Sequence, residues 1–129
     1  MARVAGAIAS KGILREPQLE SGLPAPAPTQ RLLTTDAAVL LGQYLRDAVL
    51  TGTGRSLRGH QGRIAGKTGT AETGGAQSHA WFTGFAPHGS AEKRIAFAVI
   101  VENAGYGGLA AAPAAGEIVS AAAASGLIR

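Results

Sequence analysis

The chain has 129 residues, 46% of them hydrophobic and 16% charged, which suits one modest domain with a core of its own and excludes disorder throughout. Twelve Lys and Arg against eight Asp and Glu give a formal charge of +4, but the basic residues are scattered with no aromatic residues interleaved, so no nucleic-acid partner is expected. Zero cysteines exclude disulfides and thiolate metal sites, and His60, His79 and His88 lie in separate segments without ligand spacing, so no metal and no other cofactor is expected.

Met1, Val4 and Ile8 fall at helical spacing with Gly12 just beyond, predicting a helix over 1–12 closed by a glycine cap. This start has no secretory signal pattern, and no run of about 18 apolar residues occurs anywhere, so the chain is expected to carry no membrane span. Residues 13–33 contain Pro17, Pro24, Pro26 and Pro28 and cannot hold a long helix. They read as an extended, mobile linker with one short strand, polyproline-like at the Pro-Ala-Pro-Ala-Pro core.

Thr34 or Thr35 can cap a second helix over 34–52, with Asp36 in its first turn and an apolar stripe of Ala37, Leu41, Tyr44, Leu45, Ala48 and Val49. Gly52 and Gly54 end it, and Arg55–Gly62 reads as a solvated polar loop carrying Arg58 and His60. Ile64–Glu72, Ser78–Ala86 and Arg94–Glu102 then read as three strands of an antiparallel meander over 63–103, turning at Gly74-Gly75 and at Pro87-His88-Gly89-Ser90. In the second strand Trp81 and Phe85 share one face and Phe82 takes the other, all three as core side chains. In the third strand Ile95, Phe97, Val99 and Val101 lie opposite Ala96, Ala98 and Ile100, so both faces are expected to need cover. Pro113 suits the first turn of a last, alanine-rich helix over 112–126 that stops at Gly126. Helices on an antiparallel sheet of about three strands make an α+β fold.

The segment Gly66-Lys67-Thr68-Gly69-Thr70-Ala71-Glu72 sets one lysine beside two hydroxyls, a pattern suited to an anion. It is not a phosphate loop: Gly62 and Gly59 leave three and six residues before Gly66 where four are needed, and no amphipathic helix follows Thr68. A lone K-T-G also fits a basic strand edge with glycines for tight packing.

The sequel narrows the choice. Lys67-Thr68-Gly69-Thr70-Ala71-Glu72, then Ala80-Trp81-Phe82-Thr83-Gly84-Phe85-Ala86-Pro87, then Val101-Glu102-Asn103 with Gly107-Gly108 and Ala111-Ala112-Pro113, resembles the C-terminal part of penicillin-binding protein transpeptidase domains. Met1–Ala9 resembles that family's helix between its second and third motifs, and Gly52-Thr53-Gly54 the segment shortly before K-T-G, so the resemblance covers nearly the whole chain. It implies a partial transpeptidase (serine β-lactamase-like) fold. It also implies an enzyme that acylates a serine with a D-alanyl-D-alanine stem peptide, passes the acyl group to a neighbouring amine during peptidoglycan cross-linking, and is trapped by β-lactams.

Carried over by the resemblance, Lys67 is the catalytic cation beside the nucleophile, Thr68 and Thr70 bind the substrate or drug carboxylate, the Thr70 N–H donates to the oxyanion, and Gly69 permits close approach. Ideal alternation puts Lys67 on the opposite face from Thr68 and Thr70, so their convergence rests on strand twist and the long lysine stem. The family's other motifs, S-x-x-K and S-x-N, are not both here. S-x-x-K matches only Ser90-Ala91-Glu92-Lys93, after the K-T-G and beside Pro87 and Gly89 where a turn is expected, and S-x-N matches nowhere. The chain is therefore expected to be the C-terminal half of a transpeptidase domain, inactive alone, from a membrane-anchored parent with this part extracytoplasmic. The alternative is a non-catalytic binding or assembly module on the same half-fold. In the family the strand matching Arg94–Glu102 pairs with a strand from the domain's beginning. That edge is expected to take the N-terminal half or a second copy, with Ile95, Phe97, Val99 and Val101 losing cover.

Overall fold

The computed structural model describes residues 1–18 and 29–129, so the Pro-Ala-Pro-Ala-Pro stretch lies outside the described residues. In chain order the elements are α1 (Ala2–Ala9), β1 (Ile13–Leu14), β2 (Gln30–Arg31), α2 (Thr35–Leu50), a 3₁₀ turn (Arg55–Leu57), β3 (Ala65–Thr73), β4 (Ala76–Ala86), β5 (Ile95–Val101) and α3 (Ala111–Ala124). The strands β3, β4 and β5 form one antiparallel sheet in that order, and β1 pairs with β2 in a separate ladder. The class is α+β, with helices on both faces of the sheet.

The short ladder explains how the chain leaves α1. Gly12 takes φ +90°, and a Cβ there would run into the Leu33 carbonyl, while the Gly12 carbonyl accepts from the Leu32 amide at 2.8 Å. Only glycine allows both the left-handed turn and that approach. The cap of α2 is Thr34, whose hydroxyl accepts from the Ala37 amide at 3.2 Å, with Asp36 in the first turn where the helix dipole favours negative charge.

In the sheet, Gly66 pairs with Gly84, Thr68 with Phe82, and Gly69 with Trp81. Phe82 pairs in turn with Val99, and Gly84 with Phe97. This register places Phe82, Phe97 and Val99 on one face, where they pack with Val49, Leu57, Ile64 and the α3 residues Ala111, Ala115 and Val119. The Phe82 and Phe97 rings stack with centroids 6.2 Å apart. On the opposite face Ala65 and Phe85 meet Ala9 of α1, flanked by Ile8 and Leu45. Since Leu45 serves one face and Val49 the other, α2 crosses the sheet on the β3 side.

Residues 13–33 hold two short strands, β1 and β2, where one is expected, and three further expectations differ from what is observed. Phe97 and Val99 do not lose cover, because α3 lies over them, and it is the other face of β5, where α1 reaches Ala96 through Gly6, that is left with Ala96, Ala98 and Ile100 exposed. In α2 the buried residues are Ala38, Gly42 and Val49, whereas Leu41 and Tyr44 of the apolar stripe are exposed. His60 is not a solvated loop residue. Its Nε2 lies 3.0 Å from Ser120 Oγ and 3.1 Å from the Gly116 carbonyl, and its Nδ1 accepts from the Gly62 amide, so the proton sits on Nε2 and the ring ties the 3₁₀ segment to α3.

Two outcomes follow from this packing. Phe82 is fully buried, so Phe82→Ala is expected to lower unfolding stability by about 3–5 kcal/mol in urea titration, with the β3 and β5 amides losing exchange protection together. Burial first, and then the charges of Arg46, Arg63 and Arg94, hold the His88 pKa below its ordinary value, with Asp47 opposing. A lowered folded pKa means that the unfolded chain binds the proton more readily. Stability is therefore full above about pH 6.5 and falls as the pH drops below it. The melting temperature is expected to decline with acidification over that window, and His88→Gln to flatten this part of the profile.

Candidate functional site

β3 leaves the core as it advances. Ala65 and Gly66 are buried, Lys67 is exposed, Thr68 and Gly69 are half-buried, and Thr70–Glu72 are exposed. Gly66 is bare because of the core: a Cβ there would sit 2.5 Å from the Phe82 ring. Gly69 has Trp81 Cβ beside the same position at 3.2 Å. Lys67 alternates away from Thr68 and Thr70, yet its stem curls back along the strand. Lys67 Nζ donates to the Thr68 carbonyl at 3.0 Å and to Thr68 Oγ1 at 3.3 Å.

A third hydroxyl completes the cluster. Thr53 Oγ1 accepts from Lys67 Nζ at 3.2 Å and lies 2.5 Å from Thr68 Oγ1. Thr53 is delivered by the tight exit from α2, where the Thr51 and Gly54 amides bond back to the Asp47 and Ala48 carbonyls at 2.9 and 3.0 Å. A Cβ at Gly52 would stand 2.8 Å from the Ala48 carbonyl, so the turn needs glycine there. The loop between β5 and α3 closes the other side. Gly107 rests on the paired backbones of Gly69 and Trp81, and Gly108 on the Thr53 carbonyl. Thr53 and Gly107 were not foreseen as site residues. Their only sequence signals are the glycines flanking Thr53 and the Gly107-Gly108 pair.

The structure brings Lys67 and Thr68 together and leaves Thr70 two residues along the exposed strand. All of Lys67–Ala71 line a cleft of about 400 Å³ whose far wall is apolar, formed by Met1, Val4 and Leu45, with Trp81 and Thr83 at its side. Among the described residues the one ion pair is Arg3–Glu16, so the Lys67 ammonium has hydroxyl and carbonyl partners but no carboxylate. A cation held by neutral oxygens at the rim of an apolar cleft is arranged to take a carboxylate. Ser90 is elsewhere, in the loop between β4 and β5, outside any helix, and it lines a different cleft.

Residues 1–120 match the family model of the penicillin binding protein transpeptidase domain, and the chain belongs to that family. It is similar to the D,D-transpeptidase domain of a peptidoglycan glycosyltransferase from Eggerthella lenta, at 27% identity over 98% of this chain and 32% of that one, with a TM-score of 0.79. It is also similar to PBPA from Mycobacterium tuberculosis, at 31% identity over 94% of this chain and 31% of that one, TM-score 0.69. An imipenem acyl-enzyme complex of penicillin-binding protein A from the same organism matches at 31% identity, over 92% of this chain and 29% of that one, TM-score 0.61. The chain thus spans about a third of the length of these solved structures. No curated protein matches it. Among the described residues no helix is long and apolar enough to cross a membrane.

The seating of Gly107 gives a test of this geometry. Gly107→Ala would drive a methyl into the carbonyl oxygens of Gly69 and Trp81, which cannot give way without disturbing the ladder. The variant is expected to lose about 1–3 kcal/mol of stability and to shift the Gly69 and Trp81 amide resonances more than any others in the sheet.

Proposed function

We propose that this chain is the K-T-G-bearing part of a D,D-transpeptidase that cross-links peptidoglycan stem peptides and is trapped by β-lactams. One observation carries the reading: Lys67 Nζ is held between the hydroxyls of Thr53 and Thr68 at the mouth of an apolar cleft, with no carboxylate paired to it among the described residues. Penicillins and D-alanyl-D-alanine termini both offer the carboxylate such a cluster would take. The acyl-enzyme chemistry named for the similar M. tuberculosis protein supports the same reading.

In this reading Lys67 supplies positive charge beside the nucleophile. Thr68 and Thr70 hydrogen-bond the incoming carboxylate, Gly69 lets the ligand approach the strand, and the Thr70 N–H donates to the tetrahedral oxyanion. The serine nucleophile and its base come from polypeptide other than these 129 residues, because Ser90 lies in a loop and lines a cleft apart from that of Lys67. The part of the parent that holds this domain lies outside the cytoplasmic membrane, where its substrate is. β5 pairs only with β4 among the described residues, so its outer edge is where the remaining polypeptide, or in its absence a second copy, adds a strand.

Fluorescent penicillin followed by denaturing electrophoresis tests the assignment. The chain alone is expected to take no covalent label. Adding a polypeptide that carries the family's S-x-x-K and S-x-N motifs should create a label on that polypeptide, and Lys67→Ala should reduce its rate of formation by about 10²-fold or more. Stoichiometric labelling of Ser90 on the chain alone would overturn the assignment of the nucleophile. Absence of labelling in the complemented sample would favour a non-catalytic binding module. Light scattering checks the edge: the chain by itself is expected to be dimeric or larger, and a monomer that melts cooperatively would argue against pairing through β5.

A further inference from the structure

A second cleft, of about 660 Å³, opens where α1 ends, α2 begins and β4 turns toward β5. It shares only Ile8 with the cleft at Lys67. Its floor is apolar, made by Ile8, Ala38, Gly42 and Phe85, and its rim carries Lys11, Arg15 and Arg94 beside His88. Arg46 and Arg63 stand close enough for their charges to act on the His88 ring, which is tilted against Phe85 at 6.2 Å between centroids. Among these groups the carboxylate facing His88 is Asp47, which accepts a hydrogen bond from Gln43.

The arginines here donate to neutral carbonyls and pair with no carboxylate among the described residues. Arg94 donates from Nη1 to the Ala9 carbonyl at 2.8 Å and from Nη2 to the Gly89 carbonyl at 2.9 Å. Arg46 donates to the Ile64 carbonyl at 2.7 Å, and Arg63 to the His88 carbonyl. Neutral carbonyls fix the guanidinium groups without cancelling their field. Like charges gathered this way repel, and burial together with Arg63 lowers even the Arg46 pKa. Lys11 and Arg15 make no side-chain hydrogen bond or ion pair among the described residues and stand exposed at the rim.

We infer that this cleft is a docking site for an acidic polypeptide segment, one that seats an apolar side chain on the Phe85 floor and sets flanking carboxylates against Lys11, Arg15 and Arg94. Charge complementarity selects an anion, and the apolar floor selects a peptide with apolar side chains over an inorganic polyanion, which has nothing apolar to place there. The volume falls within the range of about 300–1,000 Å³ in which small ligands and peptide side chains are held. This reading is independent of the chemistry assigned to Lys67.

The test uses this chain with three fluorescein-labelled probes: a peptide alternating Glu and Leu, an all-Glu peptide of the same charge, and inorganic polyphosphate. Anisotropy is expected to show the Glu/Leu peptide binding about tenfold or more tightly than the all-Glu peptide, with affinity falling as salt rises. Amide shifts should centre on Phe85, His88 and Gly42. Lys11→Glu with Arg15→Glu, at positions whose side chains make no hydrogen bond or ion pair among the described residues, should abolish binding while leaving the melting temperature near that of the parent chain. Arg58→Glu, on the 3₁₀ loop outside this cleft, should leave binding intact. Equal binding of all three probes, tighter binding of polyphosphate, no binding at all, or an unaffected double variant would each overturn the proposal.

Discussion

The ring of Phe82 pressed on the bare Cα of Gly66 is the contact on which the remainder of the sheet depends. A methyl at Gly66 would meet that ring at 2.5 Å, so β3 can lie beside β4 only while position 66 has no side chain. The same ring stacks on Phe97 of β5. Gly54, just past α2, is equally close, since a Cβ there would be 3.2 Å from Val49 and 3.4 Å from Phe82. Three strands and the exit of α2 thus converge on one aromatic side chain, and α3 seals it with alanines small enough to let the helix lie near the sheet.

The site inherits its geometry from that convergence. Because the exit of α2 is fixed against Phe82, Thr53 arrives over β3 opposite Thr68, and the Lys67 stem folds back to meet both hydroxyls. The reactive-looking cluster is therefore placed by an apolar contact on the sheet's inner face, one residue before the strand emerges from the core. A change at Gly54 or Gly66 would disturb Lys67 without touching any ligand. This coupling of core to edge is a common way for rigid scaffolds to hold polar groups in register.

What the sequence discloses and what it hides follow the range of the interactions. The α+β class and the antiparallel meander are legible because alternation and glycine turns are local, as at Gly74-Gly75, where Gly75 takes φ +109°. The lysine-threonine segment is legible for the same reason. The stripe of α2 is legible only as a stripe. Periodicity shows that Leu41 and Tyr44 are apolar, but it does not say that the sheet receives Ala38, Gly42 and Val49 instead. His60 looked like a loop residue because its partner Ser120 is sixty positions away on α3. Thr53 meets Thr68 across 15 positions and Gly107 meets Gly69 from the loop beyond β5, and no spacing rule announces such a meeting.

The distribution of arginine follows from hydrogen-bond geometry as much as from charge. Arg94 spans two carbonyls, one ending α1 and one in the loop between β4 and β5, which requires two donors in a fixed fork. Arg31 donates from a single nitrogen, Nη1, to the carbonyls of Lys11 and Leu33 at 3.1 and 3.0 Å, holding the short β1–β2 ladder to the end of α1. A lysine at position 94 would keep the charge and lose the bridge, since its one nitrogen replaces the two that reach the separate carbonyls. The carbonyl at the end of α1 also lies at the negative end of its helix dipole, where a cation is favoured. Arginine therefore joins the helices to the sheet turns without any carboxylate taking part, and the field left over at the rim is a consequence of how the fold is tied together.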